Sequence, residues 1–353
     1  MPASDFALLR WAIAVYLTIR VSALGFTWVL PLVGAASTAV PASTTPAMLL
    51  TAVSFHVFAY VFNDVIDHHV DRSEPLRSDS PLVRGQVSRG QLLVLAWVQP
   101  PLAFTLALAG GASAAALAAL LGAFVAMALY DVYGKRCAWP LLTDAVQAVG
   151  WCALVLVGAW WHERTTPPLT GWLVAYVFFC VLLVQGVHGG LRDLANDGRS
   201  GARTTALWLG AWADARGGIA LSRPLLAYAL GLQLALWATA LAASASAAAP
   251  VAATASAPAS SEHAARLLTM AALVGASAAL ARAYRCRSDK RRFIASGAWN
   301  IVGTLLVLPA LVLPQLDVGG AATLLAALLL PVAAMLAYNG SHWRVPAPAE
   351  VSR

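Results

Sequence analysis

The stretch Phe62-Asn63-Asp64-Val65-Ile66-Asp67-His68-His69-Val70-Asp71-Arg72 closes an apolar run that begins near Ala47. Its three aspartates stand at i, i+3 and i+7, which puts them on one face if the run is a helix. A helix leaving a bilayer seldom carries three acids on one stripe without a cation, because each unpaired charge at depth costs about 2.5–3.5 kcal/mol even on lenient insertion scales. Mg2+ is the fitting ion: it is hard, takes carboxylate oxygens and keeps positions open for waters and phosphates. The structural alternative is a helix end that simply emerges into water.

The surrounding chain is strongly apolar. Of 353 residues, 60% are hydrophobic and 11% charged, with a mean hydropathy of +0.72, outside the range of soluble domains and within that of multi-pass membrane proteins. Ten apolar runs of about 20 residues, enough to cross a ~30 Å hydrocarbon core, begin near Val21, Ala47, Gln91, Ala112, Leu141, Leu169, Ile219, Ala264, Phe293 and Gly320. The runs near Gln91 and Ala112 meet at Gly110-Gly111, which demands a tight helical hairpin. Residues 1–20 read as an amphipathic cytoplasmic lead-in, 21–340 as one transmembrane helical domain, and 341–353 as a disordered tail. The Ala/Ser/Pro tract from about Ala242 to Ser261 reads as a flexible linker.

With the amino terminus inside, only Arg164 and Arg266 of the 23 Lys and Arg residues fall outside, a strong positive-inside bias. The net charge of +7 is therefore a topology signal and points to no nucleic acid. The first residues lack a secretory n-region and cleavage site. The four cysteines have neither zinc-ligand nor disulfide spacing.

A second acidic pair follows the run that starts near Leu169. In His188-Gly189-Gly190-Leu191-Arg192-Asp193-Leu194-Ala195-Asn196-Asp197-Gly198-Arg199-Ser200-Gly201-Ala202-Arg203-Thr204-Thr205, Asp193 and Asp197 share a face at i, i+4. The Lys/Arg bias puts both acidic clusters on the cytoplasmic side. Facing one another, each could hold one Mg2+, and the two ions could grip a diphosphate. A transporter reading fits less well, since transport sites tend to lie near the midplane and no inverted repeat is visible.

In these motifs the chain resembles the UbiA superfamily of intramembrane prenyltransferases. The first motif of that family, N-D-x-x-D-x-x-x-D, is matched by Asn63, Asp64, Asp67 and Asp71. The second, D-x-x-x-D followed by a glycine and a hydroxyl residue, is matched by Asp193, Asp197, Gly201 and Thr204. Arg77 to Ser88 looks like its R-P-L-x-x-G-x-x-S loop, with Ser80 where arginine is common, and Tyr130 to Arg136 is similar to its Y-x-x-x-x-K-R loop. The resemblance spans roughly residues 20 to 310 and implies an all-α bundle of nine spans, against the ten counted.

The activity so implied is Mg2+-dependent transfer of an isoprenoid chain from an allylic diphosphate to a hydrophobic or aromatic acceptor, on an integral membrane enzyme whose site faces the cytoplasm. The alternative is a membrane terpene cyclase with the same ionising apparatus. Asp64, Asp67 and Asp71 are expected to hold one ion and Asp193 and Asp197 the other, with Asn63 an orienting amide or ligand. Arg72, Tyr130, Lys135, Arg136, Arg199 and Arg203 are expected to contact the diphosphate. Deeper polar groups mark the acceptor side: Asp144, Gln147 and Trp151 on one stripe, Gln185 and His188 on another, Asn300 and Thr304 on a third. Trp97 and Trp151 are candidates for a prenyl tunnel, and Trp160 and Trp161 for an interfacial belt. His68 and His69 read as solvated surface residues.

Overall fold

A computed structural model of the chain describes residues 3–73, 77–214, 218–247 and 259–337. Its helices are α1 (Ala3–Thr18), α2 (Leu24–Ser37), α3 (Thr45–Asp71), α4 (Arg89–Ala109), α5 (Ala114–Tyr133), α6 (Pro140–Ala159) and α7 (Pro168–Leu182). A π-helical stretch, Leu183–Gly189, extends α7 into α8 (Gly190–Arg192), followed by α9 (Leu194–Ser200) and α10 (Thr205–Trp208). A two-residue hairpin, β1 (Trp212–Ala213) against antiparallel β2 (Ile219–Ala220), precedes α11 (Arg223–Ala247), α12 (Ala259–Arg285), α13 (Lys290–Val312) and α14 (Val318–Ala337).

Local chemistry sets many of the ends. Ser88 and Gln91 form a reciprocal capping box at the start of α4, Ser113 caps α5, and Asp289 caps α13. Pro140 and Pro168 open α6 and α7, where a missing N–H costs no hydrogen bond. Between α4 and α5, Gly111 takes φ +78°, so the expected hairpin turn is present. The two helices diverge from it, however, because α4 lies along α3 and α5 along α6.

Among the described residues nine helices are long and apolar enough to cross a membrane, the number the family resemblance implies. The first spans Trp11–Ser37: after Arg10 the lead-in is apolar and runs into α2 through one 3-10 turn, Val21–Ala23. The tenth expected run is α14, whose apolar part, Val318–Pro331, is shorter and lies against α2 and the Val21–Ala23 turn. Ile219, expected to begin a span, lies in β2 instead, and the span starts at Arg223. Ala242–Ala247 is helical, so the supposed linker is shorter at its start. The centre of that tract and the 341–353 tail lie outside the described residues.

The helices pack in a ring. α2 contacts α3, α6 and α13, α3 contacts α4 and α5, α6 contacts α7, α7 contacts α11, and α12 pairs with α13. Without a hydrophobic drive between helices in lipid, close approach needs small residues. Gly34 of α2 and Gly158 of α6 supply it: a Cβ on Gly34 would overlap the Val155 carbonyl, and one on Gly158 the Pro31 carbonyl. Inside the ring, His188 Nε2 lies 2.7 Å from Asn300 Oδ1, and Asn300 Nδ2 donates to Ala276 O (2.8 Å) and Gln233 Oε1 (3.3 Å). This knot ties the π-helical stretch to α11, α12 and α13, so His188 serves here as an interhelical hydrogen-bonding residue. Tyr176 adds a bond to the Thr304 carbonyl at 2.8 Å.

Gly158→Ala is expected to separate α2 from α6 and to destabilise the protein by about 1–3 kcal/mol, the usual range for overpacking. That corresponds to a fall of roughly 1–4 °C in Tm for a chain of this length, measured in detergent. Gly122→Ala, where a Cβ meets open space, should show no loss; an unchanged Tm for Gly158→Ala would contradict the packing.

Candidate active site

The two acidic motifs meet. Asp64, Asp67 and Asp71 are buried on the last two turns of α3, and Asp197 is buried in α9. Two bonds tie α9 to the end of α3: Asn196 Nδ2 donates to the Val70 carbonyl (3.2 Å), and Ser73 Oγ donates to Asn196 Oδ1 (3.0 Å). Lys135 then bridges the motifs, with Nζ 3.0 Å from Asp67 Oδ2 and 3.7 Å from Asp197 Oδ1. Its position is set by the backbone. Gly201 ends α9 at φ +71°, and this turn lets the Arg203 N–H bond the Lys135 carbonyl at 2.9 Å.

Three more cations complete the cage. Arg20 pairs with Asp64, and Arg77 lies 3.8 Å from both Asp64 and Asp71. Arg192 grips Asp193 with two bonds, at 2.7 and 2.8 Å. Burial opposes charge on Asp193, yet Arg192 beside it, with Arg77 and Lys135 beyond, holds its carboxyl down at about 2. Burial likewise pulls the Lys135 ammonium downward, but Asp67 and Asp197 outweigh it and push it above the usual lysine value. Asp64 and Asp71 do the same for Arg77. Five motif carboxylates thus face four cations.

Several expected residues stand elsewhere. Arg72, Arg136, Arg199 and Arg203 are exposed and make no ion pair among the described residues, so the structure leaves these four on the rim of the cage. Arg72 follows Asp71 by one residue and so points about 100° away around the helix. Tyr130 is half-buried, within electrostatic reach of Asp144, Asp67, Asp131 and Asp197. Asn63 Nδ2 donates to Asp131 Oδ1 at 3.1 Å, and since a carboxylate only accepts, the Asn63 carbonyl oxygen is turned the other way. The other Asp131 oxygen is buried without a hydrogen-bond partner among the described residues.

Arg20, Arg77, Arg192 and Asp131 are the residues that motif reading did not assign. Arg77 lay within the quoted loop. Arg20 ends the lead-in, where it reads only as one of the cytoplasmic charges. Of the histidines, His69 is exposed as expected, but His68 is half-buried with Nδ1 enclosed.

Beneath the cage lies an aromatic floor. Trp151 is buried, with ring centroids 5.0 Å from Phe26, 5.3 Å from Phe55 and 6.3 Å from Tyr60. Trp97, by contrast, is 53% exposed on the outside of α4, which takes it out of any interior tunnel. Trp161 is no belt residue either: it is fully buried and donates to the Gly110 carbonyl at 3.0 Å. Asp144 accepts a 2.6 Å bond from Thr205, and the Gln147 carbonyl oxygen is buried without a partner among the described residues.

The donor set suits a hard divalent ion, being carboxylate and amide oxygens only. Among the described residues no three acidic, histidine or cysteine side chains gather around one point. Each carboxylate is instead drawn toward its own guanidinium or ammonium. Those same cations match the oxygens of a diphosphate, so the cage has complementary groups for both halves of a metal–diphosphate unit.

A family model for the UbiA prenyltransferase family matches residues 23–273. No curated protein matches the chain. Among solved structures it is similar to the apo UbiA homolog of Aeropyrum pernix K1, at 18% identity and TM-score 0.60, covering 84% of this chain and 98% of that one. The UbiA homolog of Archaeoglobus fulgidus bound to DMAPP and Mg2+ is similar at 16% identity and TM-score 0.59, covering 83% and 98%. A digeranylgeranylglyceryl phosphate synthase follows at 14% identity and TM-score 0.51, covering 86% and 98%. With nine membrane-length helices, two converging aspartate motifs and a family match over most of its length, the chain belongs to the UbiA prenyltransferase family, as a multi-pass membrane enzyme.

Proposed function

We propose that the enzyme ionises an allylic diphosphate and transfers the isoprenoid chain to a hydrophobic or aromatic acceptor, in a site at the cytoplasmic face. The observation that carries this reading is the convergence of both acidic motifs on Lys135, 3.0 and 3.7 Å from their carboxylates. The A. fulgidus homolog bound to DMAPP and Mg2+ supports it by the fold it shares. All but Arg164 and Arg266 of the Lys and Arg residues read as one side of the bilayer, the side of the cage, which supports the cytoplasmic orientation.

In this reading Asp64, Asp67 and Asp71, with the carbonyl of Asn63, hold one Mg2+, and Asp193 and Asp197 hold the other. The bound ions supply charge neutralisation for the departing diphosphate. Arg20, Arg77 and Lys135 exchange their carboxylate partners for diphosphate oxygens, bidentately for the guanidiniums. As the C–O bond breaks, its electron pair leaves with the diphosphate, and the fixed cations stabilise that charge without reorganising solvent. The Trp151, Phe26, Phe55 and Tyr60 faces shelter the allylic cation from water and attract it through their quadrupoles. Carbon–carbon bond formation with the acceptor and loss of its proton complete the transfer.

Asp64→Asn and Asp193→Asn are each expected to lower kcat/KM for diphosphate release by about 10²-fold or more, the scale of losing one preorganised electrostatic element. Near-full activity in either variant would remove the reading. Chelation of divalent metal should abolish turnover and added Mg2+ restore it; a chelator-resistant rate would contradict the metal assignment.

Arg77→Ala should raise KM for the prenyl diphosphate by about tenfold or more, as expected for a lost charge-assisted contact. Arg199→Ala, on the exposed rim, should change it less than about twofold. Equal effects would show that the cage is drawn around the wrong cations. A cyclic product formed without any acceptor would contradict transfer.

A further inference from the structure

Arg20 sits in the break between α1 and α2 with φ 51° and ψ 55°, a left-handed conformation that residues other than glycine seldom hold unless their surroundings impose it. Three residues of α3, each four apart and therefore on one stripe, hold this turn: His56, Tyr60 and Asp64. His56 Nε2 lies 2.8 Å from the Ile19 carbonyl oxygen. A carbonyl only accepts, so Nε2 carries the proton and donates. On the neutral ring Nδ1 is then an acceptor, and it receives the Thr27 hydroxyl at 2.7 Å. Both ring nitrogens are thereby used, one on each side of the break. The His56 ring packs on Tyr60, 4.5 Å between centroids, and the Tyr60 face carries the Arg20 guanidinium 5.0 Å from its centroid. That guanidinium ends on Asp64.

This arrangement asks more of position 56 than filling volume. The residue is buried, 1% exposed, and an apolar side chain of similar size would leave the Ile19 carbonyl and the Thr27 hydroxyl without these partners. It would also free the backbone turn from which the Arg20 side chain starts. An arginine released there has many rotamers, only some of which reach the mouth of the cage.

We propose that His56, with Tyr60 beneath it, is a positioning residue: it pins the Ile19–Arg20 turn so that the Arg20 guanidinium is presented to the diphosphate. This rests on the reading of the cage as a diphosphate site. His56 touches no reacting atom and acts through Arg20 alone, so its effect must vanish when Arg20 is gone.

The test is calorimetric titration of magnesium pyrophosphate into the full-length protein in detergent, a probe that needs neither donor chain length nor acceptor. His56→Leu is expected to weaken binding by about tenfold, the scale of one displaced charge-assisted contact. His56→Gln, whose amide nitrogen can take the place of Nε2, is expected to stay within about threefold of the parent. In an Arg20→Ala background His56→Leu should change nothing further, a coupling that a general packing defect would not produce. Parent-like binding by His56→Leu overturns the proposal, and so does an equal loss with and without Arg20. Failure of the parent protein to bind, or binding unaffected by Asp64→Asn, overturns the reading of the site itself and the proposal with it.

Discussion

Carboxylates buried at the end of an apolar bundle must be neutralised in place, and the rest of this site follows from that constraint. Removing an ionised group from water costs several kcal/mol, and a partner within about 4 Å returns that only when geometry and hydrogen bonds are good. The chain meets the requirement with four cations from four separate segments: Arg20 before α2, Arg77 after α3, Lys135 after α5 and Arg192 before α9. Arg20, Arg77 and Lys135 bring their segments to the end of α3, while Arg192 holds Asp193 beside it. Of these four, Lys135 is ion-paired with carboxylates of both motifs and so couples them.

In the proposed reading, the same constraint suits the cage to a metal–diphosphate ligand. A cage of paired charges has little reason to take up a bare cation, which would displace guanidiniums and leave them unpaired, or a bare anion, which would face the carboxylates. A metal–diphosphate unit offers partners to both sets at once. The mouth is thus electrostatically complementary to the complex more than to either part, and the aromatic floor of Trp151, Phe26, Phe55 and Tyr60 lies where an attached hydrocarbon chain would enter.

How legible each part was depends on contrast. Five aspartates stand out in a chain with 11% charged residues, and their spacing on two helices reports a shared face without any knowledge of packing. Span positions were legible for the same reason, hydropathy being a property of local sequence. The cations were not legible in this way. Arg72, Arg136, Arg199 and Arg203 sit beside the motifs in sequence but project outward, whereas Arg20 reaches Asp64 across 44 positions through a backbone break that no composition reveals. Ion pairing between segments depends on how helices pack, and so do the fates of Trp97 and Trp161, one on the outside of α4 and one buried under the α4–α5 turn.

The most direct measurement is an electron cryo-microscopy structure of the full chain with Mg2+ and a non-ionisable prenyl thiodiphosphate. The account predicts diphosphate density between the Asp64, Asp67 and Asp71 face of α3 and the Asp193 and Asp197 face at α9, with Arg20, Arg77 and Lys135 turned onto its oxygens. Diphosphate density away from one of the two aspartate motifs, or at the opposite end of the bundle, would contradict it.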